Sequence, residues 1–121
     1  MSDVPPRIQR LRTKGWRMPE GAVYVGRPTK WGNPWKAEPV DGVGWCCTDT
    51  RKDLIIQARD AANAHDLAVS HYRAWIREQP GLVDATRAEL RGKPLCCYCP
   101  THLACHADVL LELANGEAGS A

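Results

Sequence analysis

The chain has 121 residues, 44% hydrophobic and 25% charged, with a formal net charge of +2; this fits one globular domain with a modest core and excludes a disordered chain. No apolar run is long enough to span a bilayer, and Met1–Arg7 lacks the apolar stretch of a secretory leader, so a soluble, cytoplasmic protein with no membrane contact is expected. Thiols stay reduced in that compartment, and six cysteines then suggest metal ligation or thiol chemistry before disulfides.

Positive charge is concentrated at the start. Arg7, Arg10, Arg12, Lys14, Arg17, Arg27, Lys30 and Lys36 are opposed there mainly by Asp3 and Glu20, whereas acids dominate the C-terminal tail. Such an end attracts phosphate, as in a nucleotide or nucleic acid, although a solvated surface looks the same in sequence. Residues 1–19 read as a basic arm. Between Pro5 and Pro19 it forms either a short strand or a segment that orders on a partner, with Ile8 and Leu11 as anchors.

Ala22-Val23-Tyr24-Val25 has strand propensity, and Gly26-Arg27-Pro28 stops it. Trp31-Gly32-Asn33-Pro34-Trp35 is then a turn, because Asn33 precedes a proline. From Glu38 to Asp53 no period holds, and the stretch reads as a loop in which Cys46 and Cys47 are incidental thiols. Ala61, His65, Ala68, Val69, Tyr72, Trp75 and Ile76 recur at helical spacing within a helix from about Ala58 to Glu78, ended by Pro80-Gly81. A shorter helix carries Leu82, Val83, Thr86 and Leu90 on one face and closes at Gly92. Lys93–Tyr98 is a short strand with Pro94 at its start, and Val109–Ala114 a final helix ending at Asn115-Gly116, before a flexible tail at 116–121. The fold class is therefore α/β or α+β: a single domain over 20–115 with a short sheet packed by about three helices.

The richest chemistry lies at 97–106. Alternation along a strand puts Cys97 and Cys99 on one side and Cys96 and Tyr98 on the other, while Cys105 and His106 fall at the start of the last helix. Three thiolates and an imidazole satisfy tetrahedral zinc, with His102 as a spare ligand. The same residues allow a second reading, with Cys105 as a nucleophile activated at a helix N-terminus and His106 or Asp108 as its acid/base partner. A third reading makes the thiols small buried hydrophobes, Asp108 a dipole partner and His65 a core histidine. If the strands ending near Val25 and Tyr98 lie side by side, the following loops emerge at one sheet edge. Gly26, Arg27, Lys30, Trp31 and Asn33 then face the Cys/His element and offer charge and a stacking surface to a nucleotide or single-stranded nucleic acid. Core packing of Trp31 and Trp35 is the competing reading. No P-loop, dinucleotide fingerprint, nucleophile elbow or HExxH motif occurs.

Val23-Tyr24-Val25-Gly26-Arg27-Pro28-Thr29-Lys30-Trp31-Gly32-Asn33-Pro34, Tyr72-Arg73-Ala74-Trp75, Leu90-Arg91-Gly92-Lys93 and Cys97-Tyr98-Cys99 with Cys105-His106-Ala107-Asp108-Val109-Leu110 resemble the DUF4326 family, a domain of unknown function. The resemblance runs from Arg7 to Asn115 and implies a bacterial or bacteriophage origin, hence a host cytoplasm if phage-encoded. It also implies that the first loop and the CxC…CH element act together, and that Cys46, Cys47 and Cys96 are peculiar to this chain. Three functions are expected on these grounds. They are a zinc-bearing protein that binds a nucleotide or nucleic acid, a cysteine-dependent enzyme acting on a nucleotide or nucleobase, and a phage accessory protein that binds a host protein.

Overall fold

The computed structural model describes residues 4–116. The tail expected at 116–121 lies, past Gly116, outside the described residues. The elements in chain order are β1 (Arg7–Gln9), β2 (Val23–Tyr24), β3 (Trp35–Val40), β4 (Gly44–Asp49), β5 (Leu54–Gln57), α1 (Ala61–Arg77), α2 (Pro80–Leu90), β6 (Leu95–Cys97) and α3 (His106–Asn115). They build two three-stranded sheets and three helices, a mixed α/β domain with one sheet more than expected.

The first sheet is parallel, in the order β1-β6-β2, so its last strand in sequence is its middle strand in space. Arg7 pairs with Leu95 and Gln9 with Cys97 on one side, and Val23 with Leu95 and Tyr24 with Cys96 on the other. Leu95, Cys96 and Cys97 are all buried, as a central parallel strand requires. The basic N-terminal segment thus takes the strand form at Arg7–Gln9. The pairing continues one step further, where the Arg10 N–H donates to the Cys97 carbonyl at 2.7 Å.

The stretch from Glu38 to Asp53, expected as a loop, is mostly strand. β3 and β4 pair antiparallel from Trp35 opposite Asp49 to Val40 opposite Gly44, and β5 adds to the far edge of β4. Pro39 and the glycines conceal the pattern. Pro39 is tolerated because β3 is an edge strand, and Gly42 and Gly44 supply the positive φ values (+78° and +103°) that the hairpin turn needs. Trp35 therefore opens a strand and does not close a turn. Cys46 and Cys47 are buried on β4.

Helix α1 starts at Ala61 because the Asp60 side chain caps it, accepting from the Asn63 N–H at 2.8 Å. Its buried face is Ala64, Ala68, Tyr72 and Ile76, spaced by four, and the helix packs on β3 and β4. Pro80 both ends the chain's first helical run and begins α2, where its missing amide is harmless. Gly92, at φ +77°, follows the end of α2 as the expected left-handed stop. Val25, Trp31, Tyr72, Leu90, Leu95 and Leu110 lie together in the core. Among the described residues, no helix is long and apolar enough to cross a membrane.

Candidate metal centre and cleft

Because β2 and β6 run parallel and end side by side, the chain leaves both strands at one edge of the sheet. A cleft of about 370 Å³ opens there, within the usual span of small-molecule sites (about 300–1,000 Å³). The turn after β2 lines it with Gly26, Arg27 and Asn33, and α1 contributes His65. Cys97, Cys99, Cys105 and His106 line it from the connection between β6 and α3.

Strand β6 stops at Cys97, short of the expected Tyr98, and the bend that follows it brings Cys99 Sγ to 4.0 Å from Cys97 Sγ. Cys105 joins them as the N-cap of α3. Its backbone N–H donates to Asp108 Oδ2 at 3.1 Å, closing a capping box that fixes where the helix begins. The three Sγ atoms all lie within 4.8 Å of one another, with Cys97 and Cys105 buried and Cys99 half-buried.

Arg7 holds this connection in place from β1. Its Nη2 donates to the carbonyls of Thr101 (2.9 Å) and Leu103 (2.6 Å), and its Nε lies 3.2 Å from Asp108 Oδ1. The side chain is only 10% exposed, and among the described residues its buried Nη1 has no hydrogen-bond partner.

The thiols share protons unequally. Hydrogen bonds from Cys105 and Cys99 hold Cys97 far below the usual thiol range, at about 2, against the opposing effect of burial. At Cys99 a hydrogen bond from Cys105 favours the thiolate, but its own bond to Cys97, burial and the Cys97 charge push it up to about 12, with the Arg7 charge opposing. Cys105 is pushed up further still by its bonds to Cys97 and Cys99 and by burial. One ionisation is easy and the others are not, so three thiolates here need a cation among them.

Two histidines flank the set, each with a fixed tautomer. A carbonyl can only accept, so His106 Nε2, 2.9 Å from Val25 O, carries the hydrogen, and its Nδ1 lone pair lies 3.6 Å from Cys105 Sγ. His65 Nδ1 likewise donates to Ala104 O at 3.1 Å, leaving its Nε2 unprotonated. Burial lowers the pKa of both rings. The group within 4.8 Å comprises the three thiols without His106, and His102 is exposed.

The other candidate residues divide. Gly26, Arg27 and Asn33 line the cleft, but Lys30 and Trp31 do not. Trp31 is 7% exposed and donates from Nε1 to Thr86 Oγ1 at 3.1 Å, while Lys30 Nζ pairs with Glu89 at 2.7 Å. Asn33 is a structural brace, donating to Ala68 O (3.1 Å) and accepting from the Trp35 N–H (2.8 Å). Trp35 lines the cleft, yet it is already stacked on His71 and carries the Arg51 guanidinium 4.4 Å from a ring centroid. For the nucleophile reading, Cys105 is 2% exposed with its thiol pushed up, and Asp108 is engaged by Arg7 and the capping box; neither is the environment of an activated pair.

The aromatic surface near the site comes from residues that sequence reasoning passed over. Tyr24 on β2 and Tyr98, just past the end of β6, meet edge to face with centroids 6.0 Å apart. The Arg10 guanidinium lies 4.7 Å from the Tyr24 centroid and 5.4 Å from that of Tyr98, and Arg12 lies 4.2 Å from Tyr98. Alternation of basic and aromatic residues at strand ends is the signal that would have found them. Gly26 is required for this surface, because the Tyr24 ring folds back over it and donates to Arg27 O at 2.7 Å. A Cβ at position 26 would meet Tyr24 Cζ at 2.6 Å. Gly26→Ala is therefore expected to turn Tyr24 out of place at a cost of about 1–3 kcal/mol; thermal melts and tyrosine NMR shifts check it.

The family described as Domain of unknown function (DUF4326) matches residues 8–116. No curated protein and no solved structure matches the chain. With the match spanning nearly the whole sequence, from the first strand to the end of α3, the chain belongs to the DUF4326 family.

Proposed function

We propose that Cys97, Cys99 and Cys105 hold a zinc ion, with His106 Nδ1 as the fourth donor, and that this centre shapes a cleft that binds a phosphate-bearing ligand of the nucleotide class. The three thiols gathered within 4.8 Å on the wall of a basic cleft carry this reading. Tetrahedral zinc with bonds of about 2.3 Å to sulfur and 2.0–2.1 Å to nitrogen has S···S edges of about 3.8 Å and S···N edges of about 3.6 Å. The 4.0 Å between Cys97 and Cys99 and the 3.6 Å between Cys105 and His106 Nδ1 come close to those values, and His106, which falls outside the 4.8 Å group, has to move toward the other sulfurs to complete the tetrahedron. The Val25 carbonyl on His106 Nε2 is the kind of outer partner that a metal-bound imidazole has. Four protein donors make the centre closed, so its role is to hold the connection between β6 and α3 in shape.

Arg12, Arg27 and Lys36 line the cleft and supply the charge for phosphate. Elemental analysis of the purified chain should find one zinc per molecule, retained through gel filtration. Calorimetric titration with ATP should show binding that weakens at least about tenfold in Arg27→Gln, the loss expected of one charged contact. Absence of stoichiometric zinc overturns the metal assignment, and absence of any heat with ATP or an oligonucleotide overturns the ligand class.

A further inference from the structure

We infer that the ligand is a single-stranded nucleic acid, with one unpaired nucleotide in the cleft and the neighbouring phosphates on Arg10, Arg12, Lys14 and Arg17. This rests on the cleft reading above and names its ligand. Between Val4 and Pro19 the chain carries five basic residues and no acidic one. Arg7 turns inward to Asp108, but the other four form no ion pair among the described residues. Arg12, Lys14 and Arg17 are exposed.

The strip begins inside the cleft, because Arg12 lines it together with Tyr24 and Tyr98. The guanidinium groups of Arg10 and Arg12 are braced over the Tyr24 and Tyr98 rings and not over carboxylates, so their charge is left for an anion from outside. Beyond Arg12 the chain turns, the Trp16 N–H donating to Thr13 O at 3.1 Å, and neither Lys14 nor Arg17 lines the cleft. Two exposed cations therefore stand outside the cleft of about 370 Å³ that Arg12 lines. A free nucleotide leaves the outer two unmatched, and a strand does not. The cleft also selects against duplex, because a base reaches the space beside Tyr24 and Tyr98 only when it is unpaired and unstacked.

The test is fluorescence anisotropy of the zinc-loaded full chain with a labelled 12-nucleotide single strand, the same strand as duplex, and ATP as competitor, each at two salt concentrations. The single strand should bind at least about tenfold tighter than either other ligand, with affinity falling steeply as salt rises. The double variant Lys14→Gln/Arg17→Gln lies outside the cleft. It should weaken the strand at least about fivefold, flatten the salt dependence by about 0.7 per lost phosphate contact, and leave zinc content and ATP binding unchanged. Equal binding of ATP and strand, with no effect of the double variant, overturns this inference and leaves the nucleotide reading standing. Equal binding of duplex overturns the preference for single strands. If no ligand binds to zinc-loaded protein, both readings fall.

Discussion

Cys105→Ser is expected to abolish zinc binding and to lower the melting temperature by at least about 10 °C. Structural zinc in small domains binds with about 10–16 kcal/mol of free energy that is coupled to folding. Losing one thiolate donor forfeits only part of that, but a loss of about 3 kcal/mol already shifts the midpoint by roughly 10 °C in a domain of this size. The variant also leaves Cys97 and Cys99 facing each other at 4.0 Å with no third thiol to share their protons. Cys46→Ala is the matched control. It removes a thiol that is equally buried, on β4, so it costs packing but should keep the metal. If Cys105→Ser retains one zinc and melts like Cys46→Ala, the metal assignment is wrong.

The second large effect is expected at Arg7, which does not itself line the cleft. Arg7→Met should weaken zinc binding about 10–100-fold, the range found when the groups that orient metal ligands are removed. It should also cost roughly 2–3 kcal/mol of stability, because the carbonyls of Thr101 and Leu103 lose their donor. The Asp108 pair adds less to that figure than a fully buried pair would, since the carboxylate is 40% exposed. Arg7→Lys should rescue little, as one ammonium cannot reach three acceptors that the planar guanidinium serves together. Chelator competition gives the affinity and denaturant titration the stability. Unchanged zinc affinity in Arg7→Met would show that the connection between β6 and α3 holds its shape without the clamp.

Legibility of this fold in the sequence follows the range of the interactions. Cys97 and Cys99 come together across the bend that follows β6, where strand alternation no longer applies, and Cys105 precedes α3 because a helix needs a cap; both facts are local and so close to readable. The long helix is readable for the same reason. The β3–β4 hairpin is not, because Pro39, Gly42 and Gly44 interrupt its pattern and its strand character depends on an edge position and on packing against α1. The cleft walls are hidden more deeply. Tyr24 and Tyr98 are 74 positions apart, and only the parallel register Val23↔Leu95, Tyr24↔Cys96 makes them neighbours. His65 shares the helical stripe with true core residues, and only the position of Ala104 reveals that it belongs to the cleft. By sequence Trp31 and Trp35 fit either role, and it is the buried indole N–H with its acceptor at Thr86 that makes Trp31 a core residue.

The strand order β1-β6-β2 has a consequence for how the molecule is made. The hairpins over 35–57 and helix α1 rest on contacts between near neighbours in sequence, and they can form while the chain is still being synthesised. The parallel sheet cannot, because its two outer strands have no partner until Leu95–Cys97 has left the ribosome. Until then the basic segment carrying Arg10 and Arg12 has nothing to align it, and the thiols that would take up zinc do not yet exist. On the proposed reading, a metal could be taken up only once Cys97, Cys99 and Cys105 have all been made, and a chain cut short before residue 95 would carry the cations without the site.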